Sequence, residues 1–264
     1  AACTAAAEQG DEHAQLELGW MYASGRGVAQ DDAEAVRWFR AAAEQGDELA
    51  QYNLGLMYVY GRGVAQDYAE AVRWYRAAAE QGFERGQLEL GWMYQQGRGV
   101  AQDYAEAVRW YRAAAEQGDE RAQYNLGLIY ENGRLVAQDY AEAMRWFRAA
   151  AEQGFDRAQT KLGRMYENGL GVAQDYAEAV RWYRAAAEQG HDFAQNSLGR
   201  MYENALGVEQ DYIYAHMWFN IAVANGWEQA LQSRSRVAAL MTREQLAEAQ
   251  QRARQCMNSN YTDC

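Results

Sequence analysis

Nineteen residues, Val64 to Gly82 (VAQDYAEAVRWYRAAAEQG), return unchanged at Val100 to Gly118 and at Val172 to Gly190. The copies keep strict register. Trp38, Trp74, Trp110, Trp146, Trp182 and Trp218 recur every 36 residues, as do Gly19, Gly55, Gly91, Gly127, Gly163 and Gly199. A fixed period of this length marks a solenoid, in which no unit can bury its own apolar face and each leans on its neighbours. Function in such a chain has to be sought on the surface of the stack.

Within one period, DELAQYNLGLMYVYGRG places Leu49, Ala50, Leu54, Met57 and Tyr58 at spacings of three and four, which predicts a helix, here helix A. Asp47 is placed to cap its first turn, and Gly61 and Gly63 supply the left-handed backbone that ends it. In the second half Asp67 and Glu70 read as the two members of a capping box, followed by Ala71, Trp74, Tyr75 and Ala78 on one face of helix B, which stops at Gly82. Gly55 and Ala71 read as the points of closest helix approach, with Trp74 and Tyr75 filling the space beside them. A buried aromatic of this size removes ~150–250 Å² from water, roughly 4–6 kcal/mol as an upper bound at ~25 cal/mol per Å². The aromatic stripe therefore reads as a repeating core and calls for no cofactor.

The pattern LGxMYxxGxGVxQDYxEAxxWYRxAAEQG resembles the Sel-one-like repeat, a relative of the tetratricopeptide repeat, and the resemblance implies a bacterial source. The resemblance covers about residues 10–226. It implies an all-α fold, a right-handed superhelical α/α solenoid of antiparallel helix pairs, with helix A lining a concave face used for protein–protein contacts. The family often has proline after the loop valine. Here that place holds Ala29, Ala65, Ala101, Ala137, Ala173 and Glu209.

The period divides the chain into a partial helix B at 1–10, six repeats (11–46, 47–82, 83–118, 119–154, 155–190 and 191–226), a capping helical pair at 227–257 and a tail at 258–264. In the cap, Trp227 to Met241 reads as one more helix A, and Thr242 with Gln245 opens a last helix. AACTAAAEQG at the start aligns with the end of helix B. Its Ala-Ala-Cys also has the look of a lipoprotein processing site, and agreement with the repeat register favours the first reading. Cysteines occur at Cys3, Cys256 and Cys264, without metal-ligand spacing; Cys256 and Cys264, eight residues apart, can form a local disulfide or remain free thiols. The compartment is left open, with periplasm or secretion favoured over cytoplasm. No run is apolar enough to span a membrane. A formal net charge of −12 argues against nucleic acid, which needs a basic face.

His13, His191 and His216 lie in separate repeats, and no metal motif, phosphate loop or nucleophile constellation is present. The variation among repeats is more informative, because a packing position must repeat whereas a contact position is free to change. By similarity to tetratricopeptide geometry, the variable helix A positions face the groove. They supply Trp20, Tyr52, Leu56, Arg85, Leu88, Trp92, Arg121, Tyr124, Leu128, Arg157, Arg164 and Arg200 as candidate protein-binding residues, with Trp20 and Trp92 expected to be exposed. Arg85, Arg121 and Arg157 form a ladder suited to carboxylates. The reading is a non-catalytic scaffold for a protein or peptide carrying acidic and apolar anchors. The alternatives are an enzyme acting on or binding penicillin-like or cell-wall compounds, as proposed for some cysteine-rich family members, and a structural module that self-associates through its N-terminal end.

Overall fold

The computed structural model describes residues 2–133 and 136–264, with Ala2 and Cys3 described by backbone alone. Among the described residues there are fifteen helices and no strand, where the periodicity predicts about fourteen helices. They are α1 (Ala2–Glu8), α2 (Glu12–Ser24), α3 (Asp32–Gln45), α4 (Glu48–Tyr60), α5 (Tyr68–Glu80), α6 (Glu84–Gln96), α7 (Tyr104–Glu116) and α8 (Glu120–Asn132). These are followed by α9 (Tyr140–Glu152), α10 (Asp156–Asn168), α11 (Tyr176–Ala187), α12 (Asp192–Glu203), α13 (Tyr212–Ala224), α14 (Ala230–Ala238) and α15 (Arg243–Asn258). Adjacent helices pack on one another from α1 to α7 and from α9 to α14, and α15 packs on α13, consistent with an α/α solenoid. The chain divides into two compact units, Ala1–Leu126 and Gly127–Cys264.

In the N-terminal unit the pair α4–α5 shows how the sequence sets the elements. Asp47 Oδ1 accepts the Ala50 amide at 2.6 Å, and Gly61, at φ 63°, returns its N–H to Met57 O. Asp67 Oδ1 accepts the amides of Ala69 and Glu70 at 2.9 and 3.1 Å. Only half of the expected capping box forms there. The Glu70 carboxylate takes Arg73 one turn along, at 3.2 Å, because a cation in reach outbids the already placed N-cap amide. Helix A and helix B then meet through a glycine: a Cβ on Gly55 would lie 2.5 Å from the Tyr75 ring, so the ring sits directly on the helix backbone.

All six repeat tryptophans are buried, Trp218 the most at 1% exposure and the others at 7%. Their neighbours Ala35, Ala71, Ala107, Ala143, Ala179 and Ala215 are at 0%.

Repeats are tied together by a polar clamp that periodicity does not reveal. Gln81 Nε2 donates to Gly46 O at 2.8 Å and to Gln51 Oε1 at 2.9 Å, and the buried Gln51 donates to Ala43 O at 3.2 Å. Gln45 with Gln15 and Gln117 with Gln87 repeat the arrangement within the N-terminal unit. Gln189 with Gln159 and Asn225 with Gln195 do so in the C-terminal unit.

At the end of the C-terminal unit the predicted helix from Trp227 begins later, at Ala230. A bond from the Glu228 N–H to Gly226 O, two residues back, and two i→i+3 bonds, from Ala230 and Leu231 back to Trp227 and Glu228, close tight turns first. They place Trp227 edge-on to Phe193 with ring centroids 5.4 Å apart. The α15 capping box forms as read, with Thr242 and Gln245 bonding reciprocally. The tail is folded back. Cys256 and Cys264 are joined in a disulfide, and Tyr261 Oη donates to Asn225 Oδ1 at 2.9 Å, continuing the glutamine row.

Candidate protein-binding face

The candidate residues all lie on first helices of their pairs, and the structure sorts them into three groups. In the N-terminal unit, Tyr52, Arg85, Leu88 and Arg121 come together around a cleft of about 390 Å³. Glu84, Glu89, Gln117, Gly118, Asp119 and Glu120 complete its wall. Arg85 sits in the first turn of α6 and Arg121 in the first turn of α8, so the repeat itself carries both to one site. Both are exposed, and among the described residues neither guanidinium has an ion pair or side-chain hydrogen bond. Tyr52 is half-buried, stacked at an angle on Tyr75 and edge-on to Phe83 with centroids 5.9 and 5.5 Å apart. Leu88, at 7% exposure, is core that shows only an edge to the cleft.

Burial raises the Glu89 carboxyl above the ordinary range; Arg121 opposes the shift and Asp119 adds to it. Asp119 is likewise raised by burial, against the pull of the Ala122 amide that it caps at 2.7 Å. Burial, with Glu89 adding to it, also raises the Tyr52, Tyr75 and Tyr111 phenols. Glu89 was missed by the sequence reading. Its position holds Glu17, Asn53, Glu89, Asn125, Lys161 and Ser197 and is as variable as those chosen. The walls offer carboxylates, guanidiniums, an amide and a phenol, which can form ion pairs and hydrogen bonds. Neither imidazole, thiol nor aliphatic hydroxyl lines the cleft.

The second group consists of aromatic and aliphatic residues that are partly covered. Trp20 is 43% exposed, edge-on to Phe39, and lines a second cleft with Glu17, Met21, Ser24, Arg26 and Gly27. Trp92 is not exposed as expected. It is half-buried against the core, and the Arg98 guanidinium lies 5.0 Å from its ring centroid, brought back by the left-handed turn at Gly97. Leu56, Tyr124 and Leu128 are half-buried.

The third group lies in the C-terminal unit. Arg157 and Arg164 are exposed there. Arg200 is already engaged by Glu167, whose other oxygen accepts the Tyr183 hydroxyl at 2.6 Å. The same acidic row pairs Glu131 with Lys161 at 2.5 Å and Glu203 with Arg236 at 2.7 Å. The Arg200 side chain is 43% exposed, and the sequence does not disclose its acceptor, which lies 33 residues away in the preceding repeat.

Among the described residues no helix is long and apolar enough to cross a membrane, and no group of three or more His, Cys, Asp or Glu could hold a metal ion.

Comparison with known proteins places this geometry. The crystal structure of c5321, a protective antigen present in uropathogenic Escherichia coli strains displaying an SLR fold, matches with a TM-score of 0.89 and 41% identity. The match covers 94% of this chain and 53% of that one, so the present chain spans about half the antigen's length. A Sel1 repeat protein from Oxalobacter formigenes matches with a TM-score of 0.71 and 37% identity, over 81% of this chain and 86% of that one. No protein of curated function matches. The Sel1 repeat model matches residues 12–47, 49–83, 85–119, 120–155, 156–191 and 192–227. With all six periods matched and the fold shared, the chain belongs to the Sel1 repeat family, whose members are generally protein-interaction scaffolds.

Proposed function

We propose that the chain is a non-catalytic scaffold that holds a segment of another protein against the first helices of its N-terminal unit. The observation that carries this is the pair of free guanidiniums at the 390 Å³ cleft, Arg85 and Arg121. In the C-terminal unit Lys161, Arg200 and Arg236 are held by Glu131, Glu167 and Glu203, while Arg157 and Arg164 stay exposed. Unpaired arginines beside Tyr52 and the edge of Leu88 suit a segment bearing a carboxylate and an apolar anchor. The disulfide between Cys256 and Cys264 favours an oxidising compartment, periplasm or cell exterior.

The experiment is hydrogen exchange with and without a partner captured from the source organism's own extract and secretome. Protection is expected in the first turns of α6 and α8 and in α4 around Tyr52. Protection confined to second helices or to α14–α15 overturns the assignment.

A further inference from the structure

The cleft is not a simple basic patch. Its wall holds four carboxylates, Glu84, Glu89, Asp119 and Glu120, against two guanidiniums, Arg85 and Arg121. A purely acidic segment entering it would gain two ion pairs and face four like charges. Glu89 is the most informative of the four. It occupies the repeat position that Lys161 holds in the C-terminal unit, where the lysine reaches back 30 residues to Glu131 at 2.5 Å. In the N-terminal unit the residue 30 positions before Glu89 is Val59. Among the described residues Glu89 therefore has no ion pair or hydrogen bond, although it is half-buried. A carboxylate taken partly out of water with no cation in direct contact is costly, and Arg121 offsets this only at a distance. The C-terminal unit shows the remedy the fold accepts at this position, an opposite charge brought from elsewhere.

We propose that the cleft is a two-signed docking point, in which Arg85 and Arg121 hold a carboxylate of the partner segment while Glu89 holds an ammonium or guanidinium from the same segment. Burial raises the Glu89 carboxyl, and Arg121 opposes the shift without forming an ion pair with it. Both signs line one cleft of about 390 Å³, so a short extended segment, at ~3.3 Å per residue, can present an acid and a base to them a few residues apart. The partner chemistry is thus a mixed-charge protein segment flanked by apolar side chains, not an acidic tract. This rests on the scaffold reading above and narrows it.

The test uses four fluorescein-labelled decapeptides on one Leu- and Tyr-containing background. Two positions three residues apart carry Glu and Arg, Glu and Ala, Ala and Arg, or Ala and Ala. Fluorescence anisotropy is read against the full chain, Glu89→Gln, and Arg85→Gln combined with Arg121→Gln, with melts confirming that each folds. On the unaltered protein the Glu/Arg peptide should bind about tenfold more tightly than Glu/Ala. In Glu89→Gln that advantage should vanish while Glu/Ala binding persists. Equal binding of Glu/Ala and Glu/Arg, or an advantage that survives Glu89→Gln, overturns the two-signed site and leaves the scaffold reading standing. Failure of all four peptides to bind at millimolar concentration, or binding indifferent to the double arginine variant, removes the cleft as a peptide site and the scaffold assignment with it.

Discussion

A methyl group on Gly55 would meet the Tyr75 ring at 2.5 Å, and the ring is too enclosed to step aside. Gly55→Ala should therefore destabilise the fold by about 1–2 kcal/mol, overpacking outweighing the better helix propensity of alanine. Urea unfolding measures it, and a neutral or stabilising outcome would show that the helices do not meet there. Glu89 makes the opposite prediction with a pH signature. Its folded carboxyl is raised above the ordinary value of 4.5, so the folded chain holds that proton more tightly than the unfolded one. Its contribution to stability must then fall as pH rises from about 4.5 through the raised folded value. Calorimetry should find Glu89→Gln melting above the parent at pH 7 and converging with it toward pH 4. A gap independent of pH would mean that Glu89 titrates alike in both states.

Between elements, the glutamine clamp and the acidic row bear stability that composition conceals. Gln51 is buried, and removing Gln81 leaves its carbonyl oxygen without the donor it has now. Gln81→Ala and Gln51→Ala should each cost roughly 1–3 kcal/mol, and the double variant less than their sum. Strict additivity in urea melts would separate the two residues. For Glu203 and Arg236 the order of costs follows from burial, the acid side chain being 9% exposed and the guanidinium 54%. Arg236→Ala abandons a buried carboxylate, whereas Glu203→Gln frees an arginine already largely in water. The first variant should melt lower than the second; the reverse order contradicts the pairing. These links also mark the limit of what the sequence discloses. Asp47, Asp67 and Gly61 act on amides and carbonyls a few residues away, so the letters alone predict them. Gln81, Glu131 and Glu203 act on partners 30 or more residues away, and only packing shows which variable polar residue faces which. The exposure expected of Trp92 fails for the same reason, since Arg98 roofs its ring, and the ion pair of Arg200 with Glu167 is equally invisible in the letters.

For the molecule as a whole, the six periods fix an all-helical array and its family, while the two compact units use their first helices differently. In Gly127–Cys264 the row of Glu131, Glu167 and Glu203 is closed by the chain's own cations. In Ala1–Leu126 the corresponding positions are Ala23, Val59 and Gln95, and Arg85 and Arg121 at the cleft make no ion pair among the described residues. Isothermal titration of the captured partner into the unaltered protein, Arg121→Glu and Arg109→Glu tests this directly. Arg109 serves as the control because it makes the same charge change on the second helix α7, where it pairs locally with Glu106. Affinity should fall at least tenfold for Arg121→Glu, most at low ionic strength, and stay near the parent's for Arg109→Glu. Undiminished binding by Arg121→Glu, or an equal loss in both variants, would place the partner somewhere other than the first-helix face.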